Sequence, residues 1–304
     1  MNPKISVIVP AYKEEKIIEK TIRHLLDTDY KDFEIIVGVS TYDDSTVDIV
    51  KELSKKFSKL KLNFTEHRRS PTIAISECLK IARGSIIVKS DSDIYYINRD
   101  WLFNLEEHFK EHNVGGMMFD WKATTPDILK EMNSSLIASG EIFVNCLVAD
   151  FRKANHSIVD SSYNMPLTCD AFKKDLVDYL PDVISDDGEL AYKILTKKHN
   201  VVFADDIKKY SIGFAKNIHD LFFQKRRTSM GWLQIAPKYK VNILGYYIEL
   251  LKFLARNYKK YSYRQLSGFS VWIPIYLLSV FTAWIKSRKP IDTNKIWGKY
   301  ERKV

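Results

Sequence analysis

The sequence predicts an α/β fold: a Rossmann-like, mostly parallel central sheet flanked by helices, with a helical tail behind it. Three observations carry this expectation. Short β-branched runs alternate with amphipathic segments up to about residue 94, the order that gives right-handed crossovers and parallel strands. The strands are continuously apolar, as in a sheet covered on both faces. The chain changes character near Val241, where it becomes aromatic and basic.

Lys4–Pro10 reads as the first strand, ended by Pro10 and Ala11-Tyr12 because proline interrupts a ladder. Glu14–Leu26 follows as a helix with Ile17, Ile18, Ile22, Leu25 and Leu26 on one face. Phe33–Val39 is a second strand, residues 40–45 a polar loop, and Thr46–Phe57 a second helix carrying Val47, Val50, Leu53 and Phe57 on its stripe. Lys61–Phe64 is a third strand and Pro71–Ala82 a third helix. Gly84 and Ser85 then turn the chain into the strand Ile86–Val88. Beyond residue 94 the pattern loosens. Helices are expected at Trp101–His112, across Ile128–Phe151 and at Asp186–Lys197, with strands at Gly115–Phe119 and Val201–Phe203. Residues 120–180 carry no readable motif.

The strand at Ile86–Val88 leads into Lys89-Ser90-Asp91-Ser92-Asp93. A strand ending near Ser90 puts Asp91 and Asp93 on a loop at the carboxyl edge of the sheet, where open α/β sheets bind ligands. Two carboxylates at i and i+2 on a loop can converge on one hard cation. Mg²⁺ needs only one or two protein carboxylates, completing its shell with phosphate and water. By themselves these residues also read as a solvated Asp-Ser-Asp turn.

The 304 residues are 45% hydrophobic and 28% charged, which is globular composition. Cys78, Cys146 and Cys169 lie far apart without metal-ligand spacing, suggesting free thiols and a reducing compartment. The N-terminus lacks the charged region and cleavage site of a signal peptide, so a cytoplasmic location is expected. The net charge of +9 is uneven: residues 251–304 hold 12 Lys/Arg against 2 Asp/Glu, and the remainder 35 against 36. A neutral body with a basic tail points to an acidic surface as partner. Nucleic acid and anionic lipid both satisfy the charge; the tail's apolar run favours lipid, and nucleic acid is not expected.

That run, Gln265–Ile285, contains 21 residues without a charge, has Trp272 and Trp284 near its ends, and is followed by Lys286, Arg288 and Lys289. About 20 apolar residues span a bilayer, with aromatics at the interfaces and basic residues on the cytoplasmic side. Pro274, Ser270 and Ser279 interrupt it. Spanning, in-plane or re-entrant contact, and a buried or oligomer-forming hairpin are therefore three readings of the tail. The organisation expected is a catalytic unit over residues 1–240 and a tail over 241–304.

Five stretches occur in a familiar order. "ISVIVPAYKEE" (Ile5–Glu15), "EIIVGVSTYDDSTVDIV" (Glu34–Val50) and "RRSPTIAISECLKIARGSIIVKSDSD" (Arg68–Asp93) come first. "ISDDGELAYKI" (Ile184–Ile194) and "QKRRTSMGW" (Gln224–Trp232) follow. Together they resemble the motifs of the inverting family 2 glycosyltransferases, over about residues 4–235. The resemblance implies a GT-A fold and transfer of a sugar from a nucleotide-diphosphate sugar, with uridine the commonest donor base. It implies donor contacts from Pro10, Tyr12, Glu14, Ser40, Asp43 and Asp44. Asp91 would lie near the ribose, with Asp93 (and Asp91) on Mg²⁺ or Mn²⁺. Asp187 would be the general base, with Asp186 as its alternate, and Gln224 and Arg227 would face phosphate. His67, Arg68 and Arg69 could also face phosphate, and His219 could be a further metal ligand. The chain departs from the family pattern in two places. Val39 and Ser40 stand where an acidic pair usually follows the second strand, and Thr228 stands where a tryptophan follows the arginine, with Trp232 four residues on. The tail adds the expectation of a lipid-linked or membrane-near glycan acceptor at the cytoplasmic face, or else of a homo-oligomer.

Overall fold

The computed structural model describes residues 3–40, 44–65, 70–121, 130, 133–212, 214–215, 217–288 and 296. Its centre is one mixed sheet. Four strands, β1 (Ile5–Ala11), β2 (Phe33–Val39), β3 (Leu60–Phe64) and β4 (Ile86–Lys89), form a parallel block in the order β3-β2-β1-β4. The crossovers are α1 (Ile18–Leu26), α2 (Thr46–Lys56) and α3 (Pro71–Ile81). This is the Rossmann-like half that the alternating pattern predicts.

Beyond β4 the sheet is mixed rather than mostly parallel. β5 (Ile94–Tyr96) and α4 (Trp101–Phe109) lead to β6 (Val114–Trp121). After α5 (Leu136–Asn155) come β7 (Ile158–Val159), β8 (Ala171–Lys173) and a 3₁₀ turn, then α6 (Asp186–Thr196) and β9 (Asn200–Ser211). The order continues β4-β8-β6-β9-β5, with β7 also on β9. β8 is antiparallel to both β4 and β6, β6 and β9 are parallel, and β5 and β7 are antiparallel to β9. Part of the helix expected across Ile128–Phe151 falls outside the described residues; within them it runs from Leu136 and continues to Asn155.

Strand alternation divides the core into two faces. Val7, Ile35 and Val88 point to the face covered by α1, α2 and α4. Ile8, Ile36 and Ile87 point to the face covered by α3 and α6. Pro10 lies inside β1 rather than ending it, opposite Gly38. Ile8 O accepts from Ser90 N on the β4 side. Residue 10, two further on, faces that same side, and β4 has already stopped at Lys89. The missing proline N–H therefore breaks no ladder bond.

Three further helices complete the chain: α7 (Ile218–Tyr239), α8 (Ile243–Asn257) and α9 (Tyr263–Ser287). Lys240 takes a left-handed φ of 55° where α7 ends. α8 and α9 share an aromatic core with α5, built on Phe143, Leu147, Phe151, Tyr246 and Leu250 with Phe269 against them. A capping box between Ser262 and Gln265 starts α9, which continues through Pro274. α9 crosses α5 with backbones in contact: a Cβ on Gly140 would meet Gly268 O at 2.4 Å, and one on Gly268 would meet Gly140 N at 2.5 Å.

Candidate active site

The carboxyl ends of β1, β2 and β4 lie along one edge of the parallel block, and the candidate donor residues gather there. Pro10 and Tyr12 follow β1, and Ser40, largely buried, follows β2. The two loops are fastened to each other. Thr46 Oγ1 accepts from Glu14 N at 2.9 Å, and Asp44 Oδ2 accepts from Glu15 N at 3.3 Å. Ser45 Oγ donates to Glu15 Oε2 at 2.7 Å. Asp44 also accepts from Thr46 N and Thr46 Oγ1, at 3.1 and 2.8 Å. Asp44 thus braces the start of α2 and joins the loops. The hydrogen bonds of Ser45 hold Glu15 below the usual carboxylate range. Asp43, His67, Arg68 and Arg69 lie outside the described residues.

Asp91 and Asp93 take the positions expected beyond β4. Asp91 is half open to solvent, its side chain 46% exposed. Asp93 is largely buried and its Oδ2 accepts from Ser211 Oγ at 2.9 Å, while its carbonyl accepts from Ile212 N. The carboxyl end of β9 thereby braces the second carboxylate of the loop. Among the described residues no group of three or more His, Cys, Asp and Glu side chains is placed to hold a metal unaided. Two hard oxygen donors on a loop at a sheet edge still suit Mg²⁺ or Mn²⁺, because such ions take much of their shell from phosphate and water. His219 is at the exposed start of α7 beside Asp220, at 3.4 Å.

The acidic pair of α6 meets this loop through a residue the sequence reading passed over. Lys89, the last residue of β4, points to the same face as Ile87, where α6 begins. Its side chain is 3% exposed. Its ammonium lies 2.9 Å from Asp186 Oδ2 and 3.6 Å from Asp91 Oδ1, and donates to Asp187 Oδ1. Burial alone would lower this lysine, but Asp186, Asp187 and Asp91 outweigh it and hold it protonated well above the usual lysine value. Asp187 is pushed up to about 7: desolvation raises it, Lys89 opposes, and Asp186, Asp91 and Asp170 add to the rise. With 36% of its side chain exposed, Asp187 remains reachable from solvent. A signal for Lys89 was present in the sequence, since a lysine continuing an apolar strand covered on both faces must find a buried anion.

α7 is pinned beside the pair. A Cβ on Gly231 would meet Ser185 Cβ at 2.8 Å, and one on Gly188 would meet Ile235 Cδ1 at 2.9 Å. Gln234 Oε1 accepts from Ile184 N at 3.0 Å. At helical spacing Gln224, Arg227, Gly231 and Gln234 share one face, so the Gln-x-x-Arg element lies on the face that meets the turn before Asp186. Gln224 Oε1 is buried with no hydrogen-bond partner among the described residues. Arg226 stacks over Phe223 at 4.3 Å. Thr228 is exposed and bonds back to Gln224 O, whereas Trp232 packs against the core beside Gly188. Lys225 reaches buried Glu141 of α5 at 2.6 Å, and Glu141 also accepts from Trp272 Nε1 of α9 at 2.9 Å.

Residues 6–176 match the model of Glycosyl transferase family 2, and the chain belongs to that family. Among curated proteins it is 32% identical over 110 residues to a dolichyl N-acetyl-alpha-D-glucosaminyl phosphate 3-beta-D-2,3-diacetamido-2,3-dideoxy-beta-D-glucuronosyltransferase of Methanococcus voltae, covering 35% of this chain and 34% of that one. It is also 32% identical over 92 residues to a GalNAc(5)-diNAcBac-PP-undecaprenol beta-1,3-glucosyltransferase of Campylobacter jejuni, covering 30% of each. The matched stretch thus spans about a third of the length of these relatives. Among solved structures the fold is similar to the mannosyltransferase PcManGT from Pyrobaculum calidifontis in complex with GDP-Man and Mn²⁺. The TM-score is 0.64 at 19% identity, covering 95% of this chain and 88% of that one.

Proposed function

We propose that this chain is an inverting glycosyltransferase that moves a sugar from a nucleoside diphosphate sugar to an acceptor hydroxyl. The observation that carries the reading is one ammonium, Lys89, in contact with Asp91 of the donor-side loop and with Asp186 and Asp187 at the start of α6. Family membership supplies the chemistry. Asp187 takes the acceptor O–H proton as that oxygen attacks the anomeric carbon opposite the leaving group. The bond to the diphosphate breaks, and the nucleoside diphosphate leaves with the electron pair. Asp93 and Asp91 would hold Mg²⁺ or Mn²⁺, which supplies Lewis-acid stabilisation of the departing diphosphate. Pro10, Tyr12, Glu14, Ser40 and Asp44 line the donor side; Asp43 and Arg69, outside the described residues, are assigned to it on the sequence motifs alone. Gln224 and Arg227 face phosphate, which a guanidinium can clamp with two hydrogen bonds. Uridine is the expected base; the similar fold solved in complex with GDP-Man makes guanosine the alternative.

The acceptor is a lipid-linked or membrane-near glycan, met at the cytoplasmic face. Two similar proteins named for dolichyl- and undecaprenol-linked acceptors support this. α9 is the one helix among the described residues long and apolar enough to cross a membrane. It lies in the plane of the membrane rather than across it. Gly268, Trp272, Ser279 and Ala283 form a buried stripe against α5 and α7. Leu277, Leu278, Phe281, Trp284 and Ile285 form the opposite, exposed face. A spanning α9 would drag Lys225, Glu141 and Arg226 toward the bilayer core, where charge is costly. α8 exposes Leu244, Ile248 and Leu251, and Lys252, Arg256, Lys259 and Lys260 follow. An apolar ridge beside basic residues suits an anionic interface. The second reading is a soluble transferase that buries this ridge in a homo-oligomer.

The donor assignment is tested by melting temperature against UDP-, GDP-, dTDP- and CMP-sugars with and without Mn²⁺. A ligand that binds the folded state raises the midpoint by mass action. One nucleotide class should shift it, only with metal, and Asp93→Ala should abolish the shift. No shift with any of the four would overturn the assignment.

A further inference from the structure

We infer that Lys89 is a positioning residue that holds the catalytic carboxylate in register with the donor loop. The inference rests on the reading of Asp187 as the base. Lys89 is the terminal residue of a central strand, hydrogen-bonded into the sheet through Asp170 O. Its stem is fixed between β1 and β8, with Ile8 and Ala171-Asp170 as strand neighbours. Only the ammonium emerges, and it emerges among carboxylates from two separate parts of the chain. Asp91 comes from the loop just beyond the same strand. Asp186 and Asp187 come from the first turn of α6, almost a hundred residues later.

A first-turn position already favours acidic side chains through the helix dipole. The dipole, however, does not choose a rotamer. A fixed cation does, because hydrogen bonds to a charged donor are short and directional. Lys89 engages one oxygen of Asp187, Oδ1, and so sets the direction in which the other faces. It also keeps three carboxylates at one site from repelling each other apart when no donor is bound. A second buried lysine serves the adjoining strand ends in the same way: Lys209 of β9 pairs with Asp170, whose Oδ2 accepts from Phe119 N at 2.8 Å. Lys209 therefore neutralises Asp170 and leaves Lys89 to the three carboxylates at the sheet edge.

Lys89→Met keeps the length of the stem and removes the cation. It should lower kcat by on the order of 10², the penalty of a misplaced catalytic group, while the donor-induced melting shift stays within about threefold of the wild type. The acid limb of the kcat–pH profile should move upward, because the charge that opposed the rise of Asp187 is gone. Wild-type kcat in Lys89→Met would overturn the inference. So would loss of donor binding in step with kcat, which would make Lys89 a donor-site or purely structural residue. Should Lys89→Met not fold, Lys89→Arg decides: it keeps the compensating charge but moves it, and kcat should fall at least about tenfold with donor binding kept. Wild-type kcat in Lys89→Arg would overturn a positional role. Asp187→Asn separates this from the underlying reading. Normal turnover there removes the base assignment whatever Lys89 does, whereas normal turnover in Lys89→Met beside an inactive Asp187→Asn removes only the positioning role.

Discussion

At the scale of single residues, the site balances three carboxylates on one buried cation, and the balance fixes the sign of its pH response. Asp187 in the folded protein sits near 7, above the ordinary carboxylate value, because desolvation and the neighbouring Asp186 outweigh Lys89. As the proposed base, Asp187 must be deprotonated to act, so transfer should rise with pH through about 7. Asp186→Asn removes one of the charges that lift Asp187 and should move that limb to lower pH, as a kcat–pH profile will read. The linkage to stability has the opposite slope. A carboxyl raised on folding contributes stability that is complete below its unfolded pKa, about 4, and is lost as pH climbs through about 7. The melting temperature of Asp187→Asn relative to wild type should therefore increase between pH 4.5 and pH 8; a difference that stays constant across that window would contradict the raised carboxyl.

The acidic residues of this candidate site were legible in the sequence as motifs, whereas the basic one left a weaker signal. Asp91, Asp93, Asp186 and Asp187 stand in recognisable spacings. Lys89 looks like the end of an apolar run, and only the strand's burial on both faces reveals that its ammonium must meet a buried anion. Ser211 was invisible for another reason: its contact with Asp93 depends on β9 passing the loop 118 residues later in the chain.

At the scale of elements, local pattern sufficed wherever a segment carries its own periodicity. β2 runs from Phe33 to Val39 as read, and α2 and α3 end within a residue of expectation. α1 starts at Ile18, later than expected, because Lys13 adopts a left-handed φ of 57° and Glu14 and Glu15 are used to bind the neighbouring loop. β5, β7 and β8 have three, two and three residues, too short to show any period. β9 extends eight residues past Phe203, and Asp205, Asp206, Lys208 and Lys209 hide it from a search for apolar runs. Of that stretch Ala204, Ile207, Lys209 and Ser211 turn inward.

Helix contacts are where glycine decides. Gly231 seats α7 on Ser185, with 2.8 Å to a would-be Cβ. Gly231→Ala should cost roughly 1–3 kcal/mol by overpacking, and should push Gln224 and Arg227 away from the acidic turn. Urea unfolding and donor affinity should fall together; an unchanged pair of values would place the motif elsewhere. Gly140→Ala tests the α5–α9 crossing in the same way. The clash there is with backbone, Gly268 O at 2.4 Å, so the loss of stability should be at least as large, while donor binding is retained.

At the scale of the whole molecule, the charge distribution and the packing of the tail agree. The excess positive charge lies in residues 251–304. The described part of that stretch presents an apolar ridge on the face of α9 opposite its contacts with α5 and α7. α8 and α9 share their core with α5, so deleting residues 241–304 would strip a packed face and confuse attachment with folding. Substitutions on the exposed ridge avoid this. Leu278→Asp with Phe281→Asp should release the protein from vesicles containing phosphatidylglycerol and leave its melting temperature within a few degrees of the wild type. Retained vesicle binding would contradict attachment through this ridge.

In the proposed mechanism one edge of the sheet joins a donor loop to a catalytic base. The most direct measurement is transfer of labelled sugar, from whichever nucleotide class binds, into a polyprenyl-linked acceptor extract, by wild type and by Asp187→Asn, with donor binding followed in parallel. The wild type should give labelled product, and Asp187→Asn should bind donor normally yet transfer about 10²–10⁴-fold more slowly. Equal transfer by the two proteins would contradict that mechanism.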